Sequence, residues 1–453
     1  MPTPESAKMH EITGDLREAV FNYARNRLSY SPPPLDHAQP ENELARLAGP
    51  TITESGIGGV AALKVFELVL APATISTDHP GYLSFIPSAP TEASKLFDLI
   101  VSASAIYGGS WLEGAGAVYA ENEVLAWLAS ECGLPASAGG VFVQGGTIGN
   151  LSALVAARRH FNAPAGKRLA FVCSSEAHSS LKSAARIMDV DIVVAKADEN
   201  GQLHGSAVAE AIAADDVSRI FAVVATAGTT NFGIVDHIAS IADVAKQHGK
   251  WLHVDGAYGL AGILSKSHRK LYAGVEHADS VIVDPHKWLF APFDACALIY
   301  RNPELARQAH TQHGEYLDTL TESGEWNPSD YAINLTRRPR GLPLWFSLAT
   351  HGVAAYRKAV ETNCELAVQA AELIRARDDL KLVREPMLSV VVFEKLGWSK
   401  DDYQKWSDRL LAEQVAFVVP SSHAGTPNLR FAIVNPLTDL DLIKQILDSI
   451  PRS

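Results

Sequence analysis

Apolar side chains recur at helical spacing near the start of the chain. Leu16, Val20, Phe21, Ala24 and Leu28 fall near one face of a helix over residues 15–28, and a further helix fits residues 59–70. The run SPPPL at 31–35 breaks the chain between them. From about residue 168 the rhythm changes. Short β-rich runs alternate with amphipathic segments: RLAFVCS, a helix from Ser179, DIVVAKA, SAVAEAIA, RIFAVVATA, IASIADVAKQH, WLHVDGA and DSVIVDP. Strands alternating with helices of this length predict βαβ units and a mostly parallel sheet. Beyond residue 343 a long helix over 345–375, the strands LSVVVFE and LRFAIVN, and a last helix from Asp439 predict a smaller α+β unit. The expected division is a helical segment at 1–91, a large α/β domain at 92–342 and a small C-terminal domain at 343–453.

Composition narrows the class. A 453-residue chain with 47% hydrophobic and 20% charged residues excludes a largely disordered protein and is long enough for two or three folding units. Lys and Arg total 39 against 51 Asp and Glu, a net charge of −12, which argues against nucleic acid as a partner. Only four cysteines occur, Cys132, Cys173, Cys296 and Cys364, without a CxxC pair. That argues against a disulfide framework and a thiolate zinc site, and no metal is expected. No uncharged apolar run of about twenty residues is present, so no membrane association is expected. The N-terminus lacks the apolar core of a signal peptide. A cytoplasmic enzyme is the expectation.

In open α/β sheets, ligands sit beyond the carboxyl ends of the strands. Three segments place chemistry there. In GVFVQGGTIGNLSALVAARR, an apolar run meets Gly145, Gly146 and Thr147 and a helix begins. Glycines admit a close ligand and a helix N-terminus offers free N–H groups, so the turn suits a phosphate, although a plain strand-to-helix turn has the same form. It is neither a Walker loop nor GxGxxG. In WLHVDGAYG, Asp255 ends a buried type of strand, where a carboxylate calls for a cation; taken singly it also reads as a turn or cap. In DSVIVDPHKWLF, Lys287 lies between apolar runs, where a lysine acquires a depressed pKa and forms Schiff bases; alone it also reads as a solvated turn lysine. Together these are what pyridoxal 5'-phosphate (PLP) requires: an amine for its aldehyde, a carboxylate for its pyridine nitrogen and a cradle for its phosphate. His178, again just past a strand, is placed to stack on the ring or to cap the next helix.

At these residues the chain resembles the group II PLP-dependent amino-acid decarboxylases, which include the aromatic L-amino acid, histidine and tyrosine decarboxylases. The likeness runs in order from His79 to Trp345 and on toward the C-terminus. DPHKW at 284–288 carries it most specifically, with HVDGAYG, AHSS, VATAGTT and QGGT. The resemblance implies PLP fold type I, with a mostly parallel large domain and a small α+β domain. It assigns Lys287 to the Schiff base, His286 to the phosphate side, Asp255 to the pyridine nitrogen and Ala257 to packing on the ring. It assigns His178 to stacking, Thr226 to the phenolic oxygen, and Gly146 and Thr147 to the phosphate. HPGYLSFIPSA implies that Phe85, Ile86 and Pro87 enter the substrate pocket, and Gly109 and Trp111 in YGGSWLEGAGA fall near it. EYL places Tyr316 on the mobile-loop tyrosine that protonates the substrate's Cα; relatives with phenylalanine there make aldehydes instead.

The resemblance further implies a homodimer with shared active sites, wrapped by the N-terminal helices. The expected reaction is decarboxylation of an L-amino acid, aromatic by the apolar pocket segment, to an amine and carbon dioxide. An aldehyde synthase and a branched aliphatic substrate are the alternatives. No arginine stands out to hold a side-chain carboxylate. Two departures from the family pattern are Asp284, where animal members have asparagine, and Gly109, where animal aromatic decarboxylases have phenylalanine.

Overall fold

The computed structural model describes residues 9–314, 324–423 and 425–452. The strands are β1 Gly139–Val143, β2 Ala170–Ser174, β3 Asp191–Ala195, β4 Ile220–Thr226, β5 Trp251–Asp255, β6 Ser280–Val283 and β7 Cys296–Tyr300. They form one sheet in the order β1-β7-β6-β5-β4-β2-β3. The pairs β2/β3, β2/β4, β4/β5 and β5/β6 are parallel, while β7 runs antiparallel to both β1 and β6. Helices cover both faces, which is why a strand such as IFAVVAT reads as a continuous apolar run and is buried throughout. Leu252 and Val254 pack into one core, whereas Trp251 joins Phe221 and Val224 in the other.

A second sheet is built from β8 Leu380–Leu382, β9 Val390–Lys395, β10 Ser421–His423 and β11 Thr426–Ala432, all antiparallel, in the order β10-β11-β9-β8. It is the α+β unit anticipated from the spacing of the last strands. The long helix runs over Leu342–Arg375 and is interrupted at Gly352, whose φ of 75° lies in the left-handed region. Leu344, before the break, belongs to the core of the large sheet, while Leu366, Ala370 and Ile374 pack into that of the small one.

Some elements depart from the periodicity. The helix expected over 59–70 is helical over Gly59–Val65 and then widens into a π-turn at Phe66–Leu70, where the Ala71 N–H returns to the Phe66 carbonyl. Pro72 follows without an amide proton, so the regular ladder cannot continue through it. The helices Glu92–Ala103, Trp111–Glu131 and Lys400–Ala412 were not anticipated. Trp111–Glu131 is buried on most sides, including Ala117, Val118, Glu121, Val124 and Leu128, so no clean polar stripe marks it. Among the described residues no helix is long and apolar enough to cross a membrane.

Candidate active site

The carboxyl ends of β1, β2, β4, β5 and β6 open into a cavity of about 640 Å³, a size that suits a cofactor with a small substrate. Gly146, Thr147, His178, Thr226, Asp255, Ala257, His286 and Lys287 all line it. Phe85, Ile86 and Pro87 also line it, with Thr77, Tyr82 and Phe293. The segment carrying Phe85 is held by the small sheet's side of the molecule: the Leu83 N–H donates to the Phe417 carbonyl, and the Ala432 N–H to the Leu83 carbonyl.

Gly109 and Trp111 do not line this cavity. Gly109 is buried beneath Tyr107, and a Cβ there would come within 2.8 Å of the Leu335 carbonyl oxygen, so a larger residue needs a different backbone path. The Trp111 N–H donates to Asn327 Oδ1 at 2.9 Å. Tyr316 lies outside the described residues.

Lys287 rides on the short helix Pro285–Trp288 directly after β6. Its Nζ lies 2.9 Å from Asp284 Oδ2, and Asp284 is 2% exposed. Burial works against the ammonium form, but Asp284, with Asp255 behind it, outweighs burial and raises the amine above the ordinary lysine value. The depressed pKa expected of a lysine in apolar surroundings is therefore corrected: the neighbour, not the desolvation, decides the direction. Asp284 is also burdened by burial, yet Lys287 and His286 hold it below the usual carboxylate range. They supply the offset that an anion at this position demands. Asp284 Oδ2 also accepts from the Gly146 N–H, 3.3 Å away. His286 is turned toward Asp284, at 3.7 Å, and its Nδ1 lies 2.7 Å from the Ala295 carbonyl.

Asp255 accepts from Asn150 Nδ2 at 2.9 Å and from the Ala257 N–H at 3.2 Å. His178 caps the helix Ser179–Met188, its Nδ1 accepting from the Ser180 N–H at 3.2 Å. It is thus a cap, one of the two alternatives left open by the sequence, and it also lines the cavity. The helix Gly146–His160 starts at the cavity with no side-chain cap. A Cβ on Gly146 would come within 3.0 Å of the Ala257 Cβ, so a side chain there would press on Ala257 and glycine relieves the crowding.

Three residues escaped the sequence reading. Asn150 sits one turn into the helix that follows β1. His253 lies inside β5, two positions before Asp255. Arg430 of β11 lines the cavity, half-buried, and its Nε and Nη2 are buried with no partner among the described residues. Burial pulls its guanidinium down to about 10, which leaves it charged at neutral pH. The sequence offers no arginine for a side-chain carboxylate, and the structure adds this one to the lining. Its signal was a lone cation inside the apolar run LRFAIVN.

The residues fit PLP. Besides Arg430, Thr226 Oγ1 and Gln144 Oε1 are buried in the lining without partners among the described residues, alongside an uncapped helix start. Such orphaned groups mark a place built for a polar ligand.

Comparison with known proteins agrees. Residues 62–396 match the pyridoxal-dependent decarboxylase conserved domain. The chain is 32% identical over 387 residues to an aromatic-L-amino-acid decarboxylase of Bacillus atrophaeus, covering 82% of this chain and 81% of that protein. It is 29% identical over 420 residues to an L-2,4-diaminobutyrate decarboxylase of Rhizobium meliloti (strain 1021), covering 88% and 83%. A crystal structure of Oryza sativa TDC with PLP and tryptamine superposes with a TM-score of 0.88 at 25% identity, covering 99% of this chain and 98% of that one. The fold, the cavity and these matches together show that the chain belongs to the pyridoxal-dependent decarboxylase family, and that it is a PLP-dependent amino-acid decarboxylase.

Proposed function

We propose that this enzyme decarboxylates an aromatic L-amino acid to its amine. The observation that carries the reading is the pairing, in one cavity, of Arg430, whose buried Nε and Nη2 have no partner among the described residues, with an apolar lip of Tyr82, Phe85, Ile86 and Phe293. A free guanidinium binds a carboxylate in a bidentate manner, and an aromatic lip accepts a flat apolar side chain. Arg430 orients the substrate's α-carboxylate, and the lip sorts the side chain. PLP, when bound, withdraws electrons from the bond that breaks. With PLP bound, Lys287 would hold its aldehyde carbon, Asp255 would keep its ring nitrogen protonated, and Ala257 and His178 would pack against its ring. Thr226 donates to the phenolic oxygen. Gly146, Thr147 and His286 receive the phosphate.

Tyr316 delivers the proton to Cα after carbon dioxide leaves, and its identity as tyrosine favours amine over aldehyde as product. Carbon dioxide release from the common amino acids plus DOPA tests the substrate class. Aromatic substrates are expected to exceed aspartate and glutamate at least tenfold; preference for an acidic or diamino substrate overturns it. Lys287→Ala is expected to abolish the visible absorbance of the purified protein. Tyr316→Phe is expected to lower amine and raise aldehyde with oxygen uptake, and an unaltered amine yield removes Tyr316 from this role.

We also infer a homodimer. The helices Gly14–Ser29, Glu41–Ala48 and Gly59–Val65 bury no residue against their own chain, and Leu68, Leu112 and Tyr119 stand exposed. Apolar area of this kind calls for cover, and a second copy supplies it. Half-buried Trp111 is then read as facing the partner's cavity, while Gly109 stays buried within its own chain. Gel filtration at low concentration checks this, since an active monomer contradicts it. The four cysteines are buried free thiols, which suits the reducing cytoplasm.

A further inference from the structure

From the cavity wall, an unbroken hydrogen-bond chain runs back into the large sheet. Trp251 Nε1 donates to Ser280 Oγ at 2.8 Å, and Ser280 Oγ lies 2.8 Å from His253 Nδ1. His253 Nε2 lies 2.8 Å from Asn150 Oδ1. Asn150 Nδ2 then reaches two acceptors at 2.9 Å, Asp255 Oδ2 and Ser180 Oγ. Ser180 Oγ lies 2.9 Å from His178 Nδ1. Asn150, Ser180, His253 and Ser280 are all buried.

Chemistry fixes the direction of every link. Carboxylate oxygens only accept, so the Asn150 amide must turn its NH2 toward Asp255. Its carbonyl oxygen then faces His253, which must carry its proton on Nε2. His253 Nδ1 is left as an acceptor for the Ser280 hydroxyl, whose oxygen takes the Trp251 N–H. On the other branch, His178 Nδ1 already accepts the Ser180 N–H, so the Ser180 hydroxyl donates to it and the imidazole proton lies on Nε2. No member is left with two donors or two acceptors face to face.

We propose that Asn150 is a positioning residue that, oriented by His253, sets the Asp255 carboxylate and the His178 imidazole together through one amide. Asn150 belongs to the helix whose first turn lines the cavity, so one rigid element ties the phosphate end to both ring-facing groups. The proposal rests on the assignment of Asp255 and His178 to the cofactor ring. A carboxylate that loses such a donor rotates, and outer partners of this kind are worth about 10–100-fold where they have been measured at metal sites.

The test uses the holoenzyme, with PLP as the added probe. Asn150→Ala is expected to weaken PLP affinity about tenfold or more, to shift the pH midpoint of the bound cofactor's absorbance, and to lower kcat with little change in KM. His253→Phe, which removes the donor that orients the amide, is expected to act in the same direction. His253→Gln, which restores an N–H donor, is expected to recover most of the loss. Should Asn150→Ala not accumulate as folded protein, the near-isosteric Asn150→Asp decides, since it sets a carboxylate against Asp255 and is expected to be worse than His253→Gln. A lowered melting temperature with unchanged PLP affinity and absorbance titration overturns the proposal and leaves a structural role. Asp255→Ala separates the two levels. If it leaves affinity and absorbance unchanged, the assignment of Asp255 fails; if it acts and the Asn150 variants do not, the positioning role fails.

Discussion

Asp284 decides the chemistry of Lys287 at the scale of a single side chain. A buried carboxylate 2.9 Å from the amine keeps the proton on it. Asp284→Asn removes that charge while keeping the shape, so the amine is expected to titrate lower. The pH midpoint for reductive methylation of Lys287 in cofactor-free protein, followed by peptide mass spectrometry, should move to lower pH; an unmoved midpoint leaves Asp255 as the dominant neighbour. His253 gives a second residue-scale expectation. Burial drives its imidazole down to about 4, against about 6.5 in an unfolded chain. The folded protein therefore binds fewer protons than the unfolded chain between these values. Its contribution, on the order of 3 kcal/mol, is fully present above pH 6.5 and is lost as pH falls toward 4. Buried Asp236, pushed up to about 7, works in the opposite sense, losing stability as pH rises through that range. The difference in denaturation free energy between wild type and His253→Gln, measured from pH 4.5 to 7, isolates the histidine; a difference that does not change with pH counts against its burial as a neutral ring.

The reach of the sequence is clearest at this same scale. Lys287, Asp255, His178 and Thr226 each end or follow a strand, and strand ends in such a sheet converge, so their meeting could be read from the order of elements. Asn150 could not. Its partner Asp255 is 105 positions away, and only the packing of one helix against two strands brings them together. Arg430 was hidden for a related reason, since it arrives from the other sheet. The sign of the Lys287 shift was missed because the sequence showed its apolar neighbours but not which carboxylate faces the amine.

Among the elements, the buried ion pair of Arg337 and Glu121 fastens the segment before the helix Leu342–Arg375 to the rest. Arg337 Nη2 lies 2.7 Å from Glu121 Oε1, Arg337 Nε donates to the Phe142 carbonyl, and the Gly341 N–H also donates to Glu121. The pair thus joins the helix Trp111–Glu131, strand β1 and the start of the helix Leu342–Arg375. Arg337→Met strands the Glu121 carboxylate in the interior, and a loss of about 3–5 kcal/mol is expected by urea denaturation. A loss below 1 kcal/mol would mean that water reaches the glutamate. The same element scale explains why Trp111–Glu131 went unread: a helix wrapped on most sides carries no polar stripe, whereas the half-covered Ser179–Met188 does.

For the whole molecule, the uncovered N-terminal helices make association the expected resting state. Leu68 is 71% exposed in a single chain, so a charge there costs an isolated subunit almost nothing. In a dimer that covers it, the charge is desolvated. Leu68→Asp is therefore expected to raise the dimer dissociation constant, measured by sedimentation velocity across a dilution series, while leaving the secondary structure unchanged. An unaltered constant would place Leu68 outside the covered face. The fold class and the order of elements were legible at this scale because continuous apolar strands imply a sheet covered on both faces.

The path of the chain through the two sheets also imposes an order in time. Among the described residues strand β1 pairs only with β7, so its register waits for residues 296–300. The turn after Leu83 leans on residues 417 and 432, more than 300 positions later. Contacts of such sequence separation form slowly, because loop closure precedes any reward from pairing. During synthesis, the glycine turn after β1 and the lysine after β6 are therefore held apart until β7 has emerged, and the aromatic lip is not fixed until the last strand, β11, is made. A nascent chain released early exposes open strand edges instead of a cofactor site, and PLP can reward folding only at the end of the process, when both sheets have closed.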